Sequence, residues 1–242
     1  AAVEGIARLN RRHELATGGE LFLLLHRRRL WSEGERKWMG WERKRGKLHE
    51  LNRLLRGATD TSFLNSRRVE SSTDTRPSPT SSSVPSGVRY VITLDADTRL
   101  PRRAARQLVG KMAHPLNRPK IDKLTGRVSE GYAVLQPRVT PALPTGRAGS
   151  LFQRIFSGPG GMDPYAFVVS DVYQDLFEEG SYSGKGIYDV DVFEAALHGR
   201  VPENTVLSHD LLEGIFAGSG LVSDIEVVEE FPTRYDVAAA RQ

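Results

Sequence analysis

A β-branched run that ends in two aspartates constrains the fold of this chain most strongly. Residues 88–94 read VRYVITL, and Asp95 and Asp97 follow at once. β-Branched and aromatic side chains favour a strand. Pro101 favours the first position of a helix, which we expect to continue to about residue 113. The sequence therefore predicts a strand, an acidic loop and a helix in succession.

Strands and helices alternate along the rest of the chain. Further strands are predicted at residues 21–26, 132–136 and 225–228, with Pro137 expected to end the second. Helices are predicted at residues 2–15, 35–56, 166–177, 190–197 and 210–216. The second is either one broken helix or a loop followed by a helix, with Gly57 as its C-terminal cap. The alternation predicts an α/β fold with a mixed, mostly parallel sheet flanked by helices. Ligands are expected beyond the carboxyl ends of the strands.

The composition limits the possible kinds of site. The 242 residues contain no cysteine, which excludes disulfides, thiol nucleophiles and Cys-ligated zinc. The apolar run at residues 21–25 is far shorter than the roughly 20 residues of a membrane span. Because the sequence opens without Met in a helical pattern, we expect a soluble piece of a longer protein. Residues 71–87 are rich in serine and proline, which predicts a disordered loop.

Charge is unevenly distributed along the chain. The first 150 residues carry 29 Lys and Arg against 14 Asp and Glu, whereas the last 92 carry 5 against 16. A basic half could bind nucleic acid, anionic lipid or a phosphorylated ligand, and an acidic half suits a metal or acid/base chemistry. Mutual attraction of the two halves is the simplest alternative. A non-catalytic basic module that binds anions therefore stays open.

The acidic pair has several possible uses. Asp95 and Asp97 lie two residues apart, so in extended chain both side chains face one way. Two hard oxygen ligands suit Mg²⁺ or Mn²⁺, with phosphates and water completing the shell. The same pair could simply turn the chain and cap the next helix. As part of DADT it also fits a phosphatase of the haloacid dehalogenase type, and otherwise the diphosphate site of a nucleotide-sugar glycosyltransferase of GT-A fold.

The second half offers a candidate general base. Asp210 follows His209 just before an apolar helical stretch, where an exposed carboxylate could take a proton from a sugar hydroxyl. A helix cap formed by Ser208 or Asp210 would give the same sequence. Lys185 lies between two glycines in a loop suited to close approach to a substrate, or in an ordinary turn.

Several long segments resemble the glycosyltransferase domain of cyclic β-1,2-glucan synthases. They read RLWSEGERKWMGWERKRGKLHELNRLLRGATDTSF, YVITLDADTRLP, LQPRVTPALPT, SLFQRIFSGPGGMDPYAFVVSDVYQDLFEEGSYSGKGIYDVDVFEAAL, VPENTVLSHDLLEG and VEEFPTRYDVAAARQ. The resemblance implies a GT-A domain that transfers glucose from UDP-glucose, with inversion, to a growing β-1,2-glucan. It also implies a place in a multispanning synthase, on the cytoplasmic face of the bacterial inner membrane, with no nucleic-acid partner.

The resemblance also assigns roles to residues at the centre of the site. Asp95 and Asp97 match the motif that binds Mg²⁺ or Mn²⁺ and the diphosphate. Asp210 matches the catalytic base, and His209 stands where many relatives have Glu. Residues 1–136 would form the nucleotide-sugar half and residues 137–242 the acceptor and catalytic half.

Other residues are assigned by weaker matches. Lys47 and Asn52 resemble the donor-side pattern of processive transferases, although a plain helix surface fits as well. Gln136, Lys185 and Tyr188 could line the acceptor path. Trp38 and Trp41 could stack on sugar rings, but their spacing is more typical of a core. Related processive enzymes continue into a Gln-x-x-Arg-Trp segment where this sequence ends, so activity is expected to require a longer chain.

Overall fold

The computed structural model describes residues 1–13, 20–64, 84–142, 149–156, 172–203 and 209–239. Most of the predicted disordered loop, residues 71–83, lies outside the described residues. The chain forms two compact units. The first contains residues 1–88 and 202–205, and the second contains residues 89–201 and 206–242.

The described residues of the first unit form two helices and four short strands. They are α1 (Ala2–Arg12), β1 (His26–Arg27), β2 (Leu30–Ser32), β3 (Lys37–Met39), α2 (Arg43–Leu55) and β4 (Phe63–Leu64). Strands β1 and β4 pair antiparallel, and β2 and β3 form an antiparallel hairpin. As predicted, helix α2 ends just before Gly57, whose φ of 87° is the left-handed conformation that favours glycine at this position.

Two predicted elements of this unit differ in extent from the structure. The strand predicted at residues 21–26 is reduced to His26–Arg27, because Phe22 exchanges backbone hydrogen bonds with the Asn10 side chain at 2.8 and 2.9 Å instead of with a strand. Residues 35–56 are not one broken helix but a non-helical segment followed by a helix that begins at Arg43. The residues before it form the β2–β3 hairpin, in which Trp38 pairs with Trp31.

A five-stranded mixed sheet forms the centre of the second unit. Its strands are β5 (Tyr90–Thr93), β6 (Thr98–Arg99), β9 (Val134–Pro141), β10 (Gly186–Asp189) and β11 (Ser219–Glu229), in the order β5-β10-β9-β11-β6. Two further strands, β7 (Lys120–Ile121) and β8 (Val128–Glu130), form a separate hairpin. The α/β class with a mixed sheet is confirmed.

The expectation of a mostly parallel sheet needs correction. Strands β9 and β11 pair in parallel, whereas the other three pairings, β5 with β10, β10 with β9 and β11 with β6, are antiparallel. Strands β5, β9 and β11 therefore run in one direction and β10 and β6 in the other. The expectation failed because β10, which is not among the predicted strands, inserts antiparallel between β5 and β9, and a local sequence pattern does not encode such an insertion.

Helices flank this sheet. They are α3 (Ala104–Met112), α4 (Leu151–Phe156), α5 (Val172–Phe177), α6 (Val190–Leu197), α7 (Asp210–Ala217) and α8 (Tyr235–Ala239), with a 3-10 turn at Pro115–Asn117. Buried apolar side chains of α3 pack on the sheet in one cluster with Leu135, Ile187 and Ile225. No helix in the described part of the chain has the length and apolar character to cross a bilayer.

Three boundaries in this unit differ from the prediction. Helix α3 starts at Ala104, because Pro101 opens a turn that Arg103 closes with a φ of 76°. Pro137 lies inside β9, at the register position of Val222, where β11 has a bulge and β10 no longer pairs with β9. Strand β11 is longer than predicted, because its small residues Ser219 and Gly220 pair with β9.

Candidate active site

The site lies where two strands end and a third begins. The carboxyl ends of β5 and β11 and the amino end of the reversed strand β10 meet at one edge of the sheet. Asp95 follows β5, Lys185 precedes β10, and Glu229 ends β11. Because strand ends at one edge converge, three charged side chains are brought together from distant parts of the sequence.

Lys185 links the two carboxylates. Its Nζ lies 3.4 Å from Oδ2 of Asp95, 3.3 Å from Oε1 of Glu229 and 3.5 Å from Oε2 of Glu229. The lysine side chain is only 13% exposed. Burial opposes its charge, but the carboxylates of Glu229 and Asp95 outweigh burial and raise the pKa of Lys185. Lys185 is therefore a charged ammonium at neutral pH.

The acidic loop is fastened to the end of β11. The carbonyl of Asp95 accepts a hydrogen bond from Thr98 N at 3.0 Å, which closes the turn after β5. The carbonyl of Asp97 accepts from Glu230 N, also at 3.0 Å. Next to it, Thr98 of β6 is the register partner of Glu229. Hydrogen bonds thus hold the backbone around both aspartates and fix the positions of their α-carbons.

The predicted base lies against the loop that carries Lys185. Asp210 is the first residue of α7, and its carboxylate lies directly beside Gly184. A β-carbon at Gly184 would lie 2.6 Å from Oδ1 of Asp210, and the φ of Gly184 is +79°. Only glycine satisfies both the close approach and the backbone angle. The Asp210 carboxylate therefore lies beside Gly184, the residue that precedes the lysine in contact with Asp95.

Buried polar contacts hold the loop in front of β10. Gln136 of β9 is completely buried, and its Oε1 accepts hydrogen bonds from Ser183 N at 3.0 Å and from Ser183 Oγ at 3.1 Å. The hydroxyls of Tyr182 and Thr93 lie 3.3 Å apart. Burial above all raises the pKa of Tyr182, with the nearby Glu213 and Asp210 carboxylates adding to the effect. The loop thus rests on neutral, buried partners.

Three predicted residues are enclosed by protein in the structure. Gln136 and Tyr188 are completely buried, and the Tyr188 ring packs 4.6 Å from that of Phe193. In this conformation neither lines an open acceptor path. His209 is also buried and precedes α7 without a capping hydrogen bond from its side chain. Asp210 lies within the first turn of α7, where the helix dipole favours a negative charge, and Ser208 lies outside the described residues.

The remaining predicted residues belong to the first unit. Lys47 and Asn52 both lie on α2, where Lys47 is exposed and Asn52 is buried. Trp38 is 63% exposed, so the expectation that it belongs to a core is wrong. Its ring meets Trp31 edge to face at 5.9 Å. Trp41 is half-buried, with the Arg45 guanidinium 5.9 Å from its ring centroid.

Comparison with known proteins gives one strong match. The chain is 59% identical over 225 residues to "Cyclic beta-(1,2)-glucan synthase NdvB" of Rhizobium meliloti. The chain is homologous to part of a cyclic β-(1,2)-glucan synthase. The match covers 93% of this chain and 8% of the length of that synthase. No protein-family model matches the chain.

The synthase homologue carries two carboxylates where a divalent cation is expected. Asp95 and Asp97 share a loop fixed by backbone hydrogen bonds, and Lys185 shows that this loop holds a positive charge. Among the described residues, no group of three or more acidic or histidine side chains could hold a metal ion. An ion such as Mg²⁺ takes one or two carboxylates and completes its shell with phosphate oxygens and water, so the expected ion requires no third carboxylate.

Sequence reasoning about this synthase homologue missed Glu229 and Tyr182. Glu229 is the first residue after the strand predicted at residues 225–228, so the rule that singled out Asp95 at a carboxyl strand end would have found it. Tyr182 gives no such signal, because its importance comes from its burial against Thr93.

Proposed function

We propose that this chain is a catalytic segment of a glucosyltransferase that transfers glucose from UDP-glucose to a growing β-1,2-glucan with inversion. One observation carries the proposal: the Asp210 carboxylate lies beside Gly184, next in sequence to the lysine that contacts Asp95. A base and a charged donor site are thereby joined by one short loop. The 59% identity to a cyclic glucan synthase supports the sugar and the linkage.

The donor side is formed by the acidic loop. Asp95 and Asp97 would hold Mg²⁺ or Mn²⁺ together with the diphosphate of UDP-glucose. When bound, the ion neutralises negative charge that develops on the departing UDP. Lys47 and Asn52 of α2 remain candidates for contacts with the nucleotide.

The acceptor side is formed around Asp210. Its carboxylate takes the proton from the 2-hydroxyl of the acceptor glucan as that oxygen bonds to the anomeric carbon of the donor. The bond from the anomeric carbon to the UDP oxygen breaks, and UDP leaves with the electron pair. One displacement from the opposite face inverts the anomeric centre.

The rest of the enzyme belongs to the proposal as well. The match covers 8% of the synthase, so the whole activity requires sequence beyond the matched part of that relative. We place this segment at the cytoplasmic face of the inner membrane, within a multispanning synthase that receives the glucan. Its substrates are UDP-glucose and the glucan, without nucleic acid.

Calorimetric titration of UDP into this chain tests the donor site. Titrations with Mg²⁺ or Mn²⁺, and again with EDTA, should show binding that depends on the metal and is lost in Asp95→Asn. Asp224→Asn removes an equivalent charge from an exposed aspartate that pairs with Lys111 and should bind UDP like the wild type. UDP binding that is unchanged by EDTA and by Asp95→Asn would contradict the proposal.

Two further measurements separate the alternatives. Hydrolysis of a generic aryl phosphate that disappears in Asp95→Asn would favour the phosphatase. Salt-sensitive binding of anions that is unaffected by Asp95→Asn would favour a basic module. The transferase predicts neither result.

A further inference from the structure

The ammonium group of Lys185 faces two carboxylates. An ammonium group carries three N–H bonds. In the part of the chain that the structure describes, its partners are the carboxylates of Asp95 and Glu229. Its distances of 3.3 to 3.5 Å are those of ion pairs rather than of short hydrogen bonds. An anion that approaches Nζ more closely than these oxygens would therefore compete with the present contacts.

Two glycines fix the course of the chain through Lys185. Gly184 has a φ of +79° and abuts the Asp210 carboxylate. Gly186 has a φ of +154°, and a β-carbon there would lie 2.3 Å from the carbonyl oxygen of Leu135. Neither position accepts a side chain, so the backbone on both sides of Lys185 follows one path. The lysine side chain therefore projects from a fixed point at the sheet edge.

Glu229 fixes the other end of that side chain. It lies at the end of β11, a strand paired with β9 on one side and β6 on the other, and its side chain is 22% exposed. Its two oxygens lie 3.3 and 3.5 Å from Lys185 Nζ. A carboxylate on a strand with two paired neighbours is a well-defined anchor. It holds the ammonium beside Asp95.

We propose that Lys185 binds the diphosphate of the sugar-nucleotide donor, and that Glu229 is the positioning residue that holds the Lys185 ammonium beside Asp95. The inference rests on the proposed function, since it needs a nucleoside diphosphate at Asp95. It assigns Lys185 to the diphosphate leaving group instead of the acceptor path. It also assigns Glu229 the role of positioning the lysine. Because charge-assisted hydrogen bonds are among the stronger polar contacts, the lysine contributes to holding the departing diphosphate.

The sign of one substitution separates positioning from simple electrostatics. Glu229→Gln removes a negative charge near the proposed diphosphate. If Glu229 acted only through its charge, the loss of repulsion would tighten binding of UDP. If Glu229 positions Lys185, the freed ammonium shifts and UDP binds more weakly. The two roles therefore predict opposite changes in affinity.

Titration of UDP and of UMP into this chain with Mg²⁺ tests the inference. The wild type should prefer UDP, because UMP lacks the second phosphate. Lys185→Met should lower UDP affinity by about tenfold and leave UMP affinity nearly unchanged. Glu229→Gln should likewise reduce the preference for UDP over UMP. Glu226→Gln, which removes an exposed glutamate of β11 paired with Arg138, should leave the preference intact.

Each outcome has a defined meaning. Equal UDP preference in wild type, Lys185→Met and Glu229→Gln would overturn the inference while leaving the donor site at Asp95 intact. Tighter UDP binding in Glu229→Gln would also overturn it. No metal-dependent UDP binding by folded wild type would overturn the proposed function and the inference together. If thermal unfolding shows that Lys185→Met is not folded, Lys185→Arg is titrated in its place. That variant should retain part of the preference for UDP.

Discussion

The carboxylate of Asp210 fills the space in which a side chain at Gly184 would lie. The two residues are far apart in sequence, yet a β-carbon on one would come within 2.6 Å of an oxygen of the other. The start of α7 and the loop before β10 are therefore packed as one unit. A side chain at position 184 would disrupt this contact.

Gly184→Ala should displace Asp210 and abolish most glucosyl transfer. The substitution adds a steric conflict to the backbone cost of a positive φ, about 1 to 2 kcal/mol in free energy. Gly199→Ala is the matched control, since Gly199 has a φ of +69° and open space around its Cα. Both variants should lose unfolding free energy in chemical denaturation. Only Gly184→Ala should lose transfer in a full-length synthase that carries this sequence, and equal losses in both would refute the contact's role.

Asp210→Asn should separate binding from chemistry. An amide cannot take the proton of the acceptor hydroxyl, so we expect the transfer rate to fall by about 10² to 10⁴. UDP affinity should stay within about twofold, because Asp210 lies on the acceptor side. Transfer of labelled glucose by the full-length synthase and UDP calorimetry on this chain provide the two readouts. Parallel loss of both would show that Asp210 supports the fold and is not a base.

The first unit contains a buried ion pair whose disruption should lower its stability. Arg27 Nε lies 2.7 Å from Glu50 Oε2, with both side chains at most 10% exposed, and Ser62 N donates to Glu50 Oε1 at 2.8 Å. Glu50→Gln leaves the guanidinium buried without its counterion and should cost about 3 kcal/mol. Chemical denaturation measures this loss.

The control for that variant lies on the same unit. Asp60 is exposed and pairs with Arg53 at 2.6 Å, where water screens the charges. Asp60→Asn should leave the unfolding free energy nearly unchanged. If Glu50→Gln lost as little unfolding free energy as Asp60→Asn, the pair of Arg27 and Glu50 would not stabilise the fold.

Alkaline pH should destabilise the second unit through Tyr182. Its folded-state pKa is raised by burial, so the folded protein keeps the phenol proton that the unfolded chain releases above about pH 10. The contribution of Tyr182 to stability is fully present below that pH and is lost as the pH rises further. The midpoint temperature of thermal unfolding should therefore fall less steeply as the pH rises above 10 in Tyr182→Phe than in wild type. Equal slopes in the two proteins would contradict the conclusion that burial raises the pKa of Tyr182.

Local patterns predicted the elements that are locally determined. Helices α6 and α7 were found at nearly their true bounds, because each has an apolar face and α6 has Asp189 as a cap, accepting from Val192 N at 3.3 Å. Strand β5 and the aspartates after it were found because a β-branched run and an acidic loop are contiguous in sequence. The same local signals brought Asp95, Lys185 and Asp210 forward as candidates.

Features that depend on distant pairing could not be predicted. The direction of β10 depends on its insertion between β5 and β9, and Pro137 is tolerated in β9 because β11 bulges beside it. Trp38 has helix-like spacing from Trp41 but pairs across a hairpin with Trp31. Glu229 gains its meaning only when β11 brings it to Lys185.

The lysine at the sheet edge also changes what this edge needs in order to form. Asp95 and Glu229 bring two negative charges to one edge of the sheet, and like charges close together repel each other. Lys185 supplies a covalently attached counterion for Asp95 and Glu229 as soon as β5, β10 and β11 pair. The sheet edge thus carries its own counterion as part of the polypeptide, and its two carboxylates can come together without an external cation.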